Sequence, residues 1–361
     1  MSPLLFDKHD RKAMALALEM ARSVKGRTGD NPTVGAVVYK KGRILGMGAT
    51  GLPGKPHAEI AALESAGPKA NGASLAVTLE PCCHFGRTPP CTRAIIKAGI
   101  RRVIASARDP NPLVNGKGFR ELEKAGIRVH QGLFEKEAGR INEDFFKFIR
   151  TGRPFVILKA GLTLNGMIAA NSYDSRWITS PASRKTVHTL RAMTDAVLIG
   201  LNTALKDDPL LTVRHVKGRN PARIVLSHGP DLPPSGRLAL TAGKTRTILI
   251  TPHHLKRRVC RHVEYVSVGT RSMPSLLSAI GRLGIKSLLV EGGSGIFTQF
   301  IRQKCVDVFY LFMSPKILIN GIPFVLGGKT KSVKEALLLD IISMSQSDKD
   351  VLVKARPRPG V

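Results

Sequence analysis

The chain reads as two consecutive α/β domains, and three observations carry that reading. Apolar segments of strand length alternate with helical stretches along most of the sequence. A short polar break containing a proline, TGRPF at 151–155, interrupts the alternation, which then restarts. The 361 residues also exceed what a single core usually spans. We therefore expect one domain over 1–150 and a second over 151–361.

Taken in order, residues 8 to about 24 place Met14, Leu16, Leu18, Met20 and Ala21 among polar residues, an amphipathic helix before the turn sequence GRTGDNP. TVGAVVYK and RILGMGA, separated by a Lys-Gly turn, predict a hairpin. HAEIAALESAG predicts a helix over 57–66 stopped by Gly67, SLAVTLE a strand, CTRAIIKAG a helix stopped by Gly99, and RRVIASA a strand. GFRELEKAG and IRVHQG add a helix and a strand, and one helix near 136–150 closes the first domain. The second opens on the strand FVILKAGLTL and continues with strands at DAVLIG, ARIVLS, TRTILIT, KSLLVEG and VDVFYLF, and helices near 180–193, 274–283 and 295–303. GKTRT and HHLKRR read as solvated basic loops.

Composition constrains function less than its extremes suggest. With 43% hydrophobic and 23% charged residues the chain is globular rather than disordered. Its 56 Lys and Arg against 26 Asp and Glu give a net charge of +30. The excess is +11 over 1–150 and +19 over 151–361. A basic arm for nucleic acid would concentrate that charge, so its dispersal weakens a polyanion-binding reading. No apolar run reaches the roughly 18 residues of a membrane span. The opening MSPLLFDKHDRKAMALALEMARS carries charges where a secretory signal needs an unbroken apolar core, so a cytoplasmic protein is expected, with no membrane partner. The five cysteines are an odd number with three clustered, which favours metal or redox chemistry over a disulfide framework.

The chemistry is most legible around His57. Glu59 follows it by two residues at the start of a predicted helix, and after the next strand comes EPCCHFGRTPPC, with Cys82 and Cys91. One His and two Cys hold a tetrahedral zinc by three ligands and leave the fourth position for water, the open arrangement of a catalytic site. Glu59 then moves the proton from that water to a departing amine. A lone His-x-Glu at a helix start is ordinarily a cap or a surface feature; Pro-Cys at a strand end and a further cysteine complete the known signature of zinc deaminases. Cys83 could substitute as a ligand, but the residue directly after Pro81 is the expected one, so Cys83 is read as a neighbour. Base deaminases acting on RNA, the alternative that the basic charge keeps open, use Pro-Cys-x-x-Cys; here Phe85 stands where the second cysteine would fall. A non-catalytic protein that binds nucleic acid through dispersed charge is a further alternative.

The insert CHFGRTPP between Cys82 and Cys91, together with NPTVGAVV, HAEIAAL and DPNPLVNGKG in that order, closely resembles the deaminase of riboflavin biosynthesis. LKAGLTLNG, SRWITS, LRA, DAVLIG, DDPLLTVR and VEGGSGIF resemble the reductase half of the same bifunctional enzymes. The resemblance is to the bifunctional diaminohydroxyphosphoribosylaminopyrimidine deaminase and aminophosphoribosylaminouracil reductase family. It implies a cytidine-deaminase-like α/β/α sandwich followed by a dihydrofolate-reductase-like α/β domain. Zinc and NADPH are the implied cofactors, and the substrate is a small phosphorylated pyrimidine, first hydrolytically deaminated and then reduced from ribosyl to ribityl. A homo-oligomer is the expected assembly.

The resemblance also assigns roles that the residues alone leave open. It makes Asn31, Arg87, Asp109 and Asn111 substrate contacts in the first domain, although NP and DPNP are ordinary turn sequences. In the second it makes Ser175, Leu211 and Glu291 substrate contacts, and Arg191 and Arg214 the holders of the ribose phosphate, which suits a planar guanidinium. Gly161, Thr203 and Asp207 become cofactor contacts, and Trp177, by composition a core residue, lies against NADPH. Gly293, Ser294 and Gly295 sit between an apolar strand and a helical stretch, where free amides favour phosphate, though many such segments are only tight turns. Two positions depart from the family's SLDG[KR] pattern, Asn165 and Met167, which leaves a deaminase with an inactive reductase as an alternative. Thr50 stands where related deaminases often carry histidine.

Overall fold

A computed structural model describes residues 6–253, 255, 258–269, 272–327 and 332–358. The chain divides into two compact units, Met1–Thr151 and Gly152–Val361.

In the first unit α1 (Lys8–Ser23) opens on a capping box, with Asp7 accepting from the backbone of His9 and Asp10 while Asp10 returns a bond to Asp7 N. There follow β1 (Gly35–Lys40), β2 (Arg43–Ala49), α2 (Ala58–Ala66), β3 (Ser74–Leu79), α3 (Cys91–Lys97), β4 (Arg102–Ala107), α4 (Lys117–Lys124) and β5 (Arg128–Gln131). The sheet order is β2-β1-β3-β4-β5, antiparallel across β2-β1-β3 and parallel from β3 to β5. Strand alternation sends Val37, Tyr39, Ala76 and Ile104 to one face, against Ala13, Met14 and Ala17 of α1. Val38, Leu75, Val77 and Val103 pack with Ala62, Ile95 and Leu122 of the other helices. Glycines seat α2: a Cβ at Gly46 or Gly48 would lie 2.3 Å from the carbonyl of Ala62 or Ala58. That close approach holds the helix start, and with it His57 and Glu59, against the sheet.

The closing helix is two helices, α5 (Glu135–Ile141) and α6 (Glu143–Thr151). The break falls at buried Asn142, whose amide accepts from Thr33 N and donates to Thr33 O, both at 2.8 Å. A side chain recruited by a segment more than 100 residues away leaves no trace in helical periodicity.

The second unit comprises β6 (Phe155–Thr163), β7 (Met167–Ala170), α7 (Pro181–Met193), β8 (Ala196–Gly200), α8 (Leu201–Asp207), β9 (Ala222–Leu226), α9 (Arg237–Leu240), β10 (Thr247–Thr251), β11 (Val263–Ser267), α10 (Met273–Arg282), β12 (Ser287–Gly292), α11 (Ser294–Arg302), β13 (Val308–Ser314), β14 (Gly321–Pro323), β15 (Leu339–Ser347) and β16 (Asp350–Pro357). Nine strands form one sheet in the order β11-β10-β9-β8-β12-β6-β13-β16-β15. It is parallel from β11 to β13, and the β15–β16 hairpin joins antiparallel at the β13 edge. β7 and β14 make a separate antiparallel pair. GKTRT is not wholly solvated: Thr245 and Thr247 are buried where the chain enters β10. HHLKRR lies partly outside the described residues. No helix among the described residues is long and apolar enough to cross a membrane.

Candidate active sites

In the first unit His57 is the N-cap residue of α2, Cys82 follows β3, and Cys91 is the first residue of α3. His57 Nδ1 lies 3.6 Å from Cys82 Sγ and 3.3 Å from Cys91 Sγ, and the three ligand atoms sit within 4.8 Å of one another. Ordinary Zn–N and Zn–S bond lengths at a tetrahedral angle put the N···S edge at about 3.5 Å, so the trio fits zinc. The Nε2 of His57 faces the Thr88 hydroxyl at 3.4 Å, which leaves Nδ1 for the metal. A hydrogen bond from Cys91 pulls the Cys82 thiol down to about 4, and that same bond, with burial, pushes Cys91 up. His57 is raised, chiefly through its hydrogen bond with Cys82. A thiolate beside an imidazole is the donor chemistry that zinc takes.

Glu59 sits on the first turn of α2, only 4% exposed. Burial pushes its carboxyl up to about 7. A carboxyl poised near neutrality beside a metal-ligand cluster can both accept and release a proton at the working pH.

The remaining first-unit candidates form two groups. Asn31 donates from Nδ2 to Gly51 O, and Arg87, 69% exposed along its side chain, lies 3.9 Å from Asp30. Asp109 and Asn111 share one loop, where Asp109 Oδ1 accepts from Asn111 N at 2.8 Å and Asn111 Oδ1 accepts from Leu113 N at 3.1 Å. Burial pushes the Asp109 carboxyl up to about 6. Thr50 is buried and its hydroxyl accepts from Val34 N, a strand-end tie. Cys83 donates to Leu113 O at 3.7 Å, away from the ligand atoms of the trio.

In the second unit a cavity of about 1290 Å³ opens where β8, β9, β10 and β12 end, the usual ligand position of a parallel sheet. Its walls include Gly161, Ser175, Trp177, Arg191, Thr203 and Asp207. Leu211, Arg214, Glu291, Gly293, Ser294 and Gly295 also line it. Gly293 has φ +82 as it turns the chain from β12 into α11. Trp177 is 61% exposed and carries the Arg184 guanidinium 4.2 Å above its ring, so the one tryptophan is a wall of the cavity and not a core residue.

The two arginines expected to hold phosphate are placed differently. Arg191 keeps its side chain 11% exposed and is bound in a fork to Glu291, Nε to Oε1 at 2.5 Å and Nη2 to Oε2 at 2.8 Å. Burial opposes ionisation of Glu291, and Arg191 overcomes it, holding the carboxyl below its usual range. Arg214 touches Thr212 Oγ1 only at 3.4 Å, while its backbone N donates to His188 Nδ1.

Asn165 and Met167 are not among the lining residues of the cavity. Asn165 Oδ1 accepts from Thr163 Oγ1 and from Leu318 N, and its Nδ2 donates to Leu318 O at 2.7 Å. A carboxylate could not make the last bond, so the asparagine serves a turn that needs both a donor and an acceptor.

Two cavity residues carry no sequence-based assignment: half-buried Lys159, whose pKa desolvation lowers, and His188, which burial takes down to about 4. A lysine inside the apolar strand FVILKAGLTL was a usable signal. Glu80 and Thr88 also carry no such assignment, and their roles depend on partners that local sequence does not reveal.

Residues 7–107 match the cytidine and deoxycytidylate deaminase zinc-binding region, and residues 154–353 match the RibD C-terminal domain. The chain is 45% identical over 317 residues to riboflavin biosynthesis protein RibD of Aquifex aeolicus, covering 87% of this chain and 89% of that protein. It is 38% identical over 338 residues to RibD of Escherichia coli, covering 86% and 88%. Among solved structures, the diaminohydroxyphosphoribosylaminopyrimidine deaminase/5-amino-6-(5-phosphoribosylamino)uracil reductase of Thermotoga maritima superposes with a TM-score of 0.88 at 38% identity, covering 97% of this chain and 99% of that one. These likenesses span both units and do not favour an RNA base deaminase.

Proposed function

The chain belongs to the RibD family of bifunctional riboflavin biosynthesis proteins, and on that premise we propose which of its residues perform each reaction. The protein is a zinc-dependent deaminase and NADPH-dependent reductase of riboflavin biosynthesis. The observation that carries the assignment is the trio of His57 Nδ1, Cys82 Sγ and Cys91 Sγ at tetrahedral spacing beside buried Glu59.

His57, Cys82 and Cys91 hold zinc, which when bound makes water nucleophilic near neutral pH. Glu59 is placed to accept a proton from the attacking water and to deliver it to the departing amino group. Asn31, Arg87, Asp109 and Asn111 hold the phosphorylated diaminopyrimidine. Arg87, the exposed cation of the set, suits the phosphate. In the second unit NADPH supplies the hydride. Gly161, Trp177, Thr203, Asp207, Gly293, Ser294 and Gly295 would hold that cofactor, and the open backbone at the start of α11 would suit its phosphates. Ser175, Leu211, Arg214 and the Arg191–Glu291 pair orient the opened ribose, Arg214 being the cation with the fewest protein partners of the two. The placement of Asn165 and Met167 outside the cavity supports an active reductase.

A Glu59→Gln protein with zinc bound is expected to release ammonia about 10²–10⁴-fold more slowly, while still oxidising NADPH when the deaminated intermediate is supplied. Full ammonia release by that variant would remove Glu59 from the mechanism. The protein is cytoplasmic, in keeping with five free cysteines, and self-associates. Edge strand β15 exposes Ile341 at 61% and Met344 at 62%, an uncovered apolar edge that a second copy can cover. Light scattering should give a multiple of 39.0 kDa, and a monomer at micromolar concentration would count against it.

A further inference from the structure

Outside the ligand cluster, Glu80, which directly precedes Pro81 and Cys82, is an acidic side chain whose printed partners are all backbone amides. It is 3% exposed. Its Oε2 accepts from Asp109 N at 3.3 Å and Gly116 N at 2.9 Å, and its Oε1 from Gly118 N at 3.1 Å and Phe119 N at 3.4 Å. Four backbone donors thus converge on one carboxylate. All belong to the segment that leaves β4 and enters α4.

Each of these bonds has a structural reason. Gly116 is the N-cap of α4 and, having no side chain, cannot satisfy the first free amides of the helix. Glu80 reaches them from just past the end of β3, and a negative group there also suits the helix dipole. Gly118 must be glycine for this approach, because a Cβ would lie 2.2 Å from Pro81 O. From the junction the order propagates outward, Asp109 holding Asn111 N and Asn111 holding Leu113 N. Glu80 therefore stands between the segment that bears Cys82 and the loop that bears Asp109 and Asn111.

We propose that Glu80 is a positioning residue for deamination, fixing the 108–119 loop in register with the His57, Cys82 and Cys91 cluster. This rests on the reading of Asp109 and Asn111 as substrate contacts. Only a carboxylate offers acceptors on both oxygens; a glutamine of the same shape would turn an NH₂ group toward two N–H donors.

The decisive measurements use the full chain with zinc bound. Glu80→Gln should keep its zinc content and its NADPH oxidation on supplied intermediate, and lose about 10–100-fold in kcat/KM for deamination, mostly through KM, the range typical of groups that orient a metal site from behind. Hydrogen exchange should quicken in the 108–119 segment and not in β3. In a double-mutant cycle with Asn111→Ala the two losses should be less than additive, since both act on one loop. Unchanged kcat/KM, loss of zinc, or strictly additive losses would each overturn the proposal. If Glu80→Gln does not fold, Glu80→Asp keeps the charge but is one methylene short, and a loss of at least about 5-fold in kcat/KM is then required. Should Asn111→Ala and Asp109→Ala leave KM untouched, the substrate-contact reading fails, whereas the Glu80 proposal is still judged by its own kcat/KM and exchange results.

Discussion

Glu59, which is buried, and Glu291, whose side chain is 7% exposed, are both desolvated acids in candidate sites, yet their surroundings push them in opposite directions. Burial raises Glu59 to about 7, whereas Arg191, forked onto Glu291, holds that carboxyl below its usual range. Burial by itself does not decide the charge of a side chain; the partner it is buried with does. An acid with no guanidinium forked onto it is suited to carrying a proton, and one paired with a guanidinium is suited to presenting a fixed charge to a ligand.

The comparison breaks most sharply under matched substitutions. Glu59→Gln removes a costly buried acid and should leave thermal stability equal or higher while deamination falls as above. Glu291→Gln leaves the largely desolvated Arg191 without its counter-ion, so the second unit should lose up to about 3–5 kcal/mol. Its melting temperature should drop by about 10 °C, with ammonia release unaffected. If scanning calorimetry found Glu291→Gln as stable as the parent, the ion pair would not be holding that site together.

A smaller effect concerns His188, which also lines the second cavity and accepts from Arg214 N. Burial, then the neighbouring Arg191 and Arg214, lowers it to about 4, against an unfolded value of about 6.5. Between pH 6.5 and 4 the unfolded chain therefore takes up the proton first, and stability falls as pH falls; above 6.5 this residue contributes no pH dependence. Replacing His188 by Gln should flatten the fall in melting temperature between pH 6.5 and 5. An unaltered slope would place the titration elsewhere. The smallest expected effect is that of Asn165→Asp, which loses the bond to Leu318 O, costs about 1 kcal/mol or less, and changes NADPH oxidation by less than about 3-fold. A large change in rate would bring the β6–β7 turn into the reductase mechanism.

Much of this is legible in the sequence. The helix at α1, the β1–β2 hairpin, the strand–helix alternation and the His57, Glu59, Cys82 and Cys91 set all rest on local pattern and spacing. The C-terminal hairpin is hard to see in the sequence, although LDIISMSQS and DVLVKARP flank a SDKD turn, because β15 is exposed along most of its length and lacks the in-out alternation of a half-buried strand. The split of the closing helix at Asn142 was hidden because its cause, Thr33, lies in another part of the chain.

The sequence alone determined the two α/β alternations and the zinc-ligand types, since periodicity and ligand chemistry act through residues near in sequence or unmistakable in kind. Tertiary structure alone decided which arginine is bound to Glu291, which face of Trp177 is covered, and that Glu80 caps a helix whose own N-cap is glycine. Those outcomes depend on desolvation and on hydrogen-bond partners up to 100 residues away, and both arise only when the chain has folded.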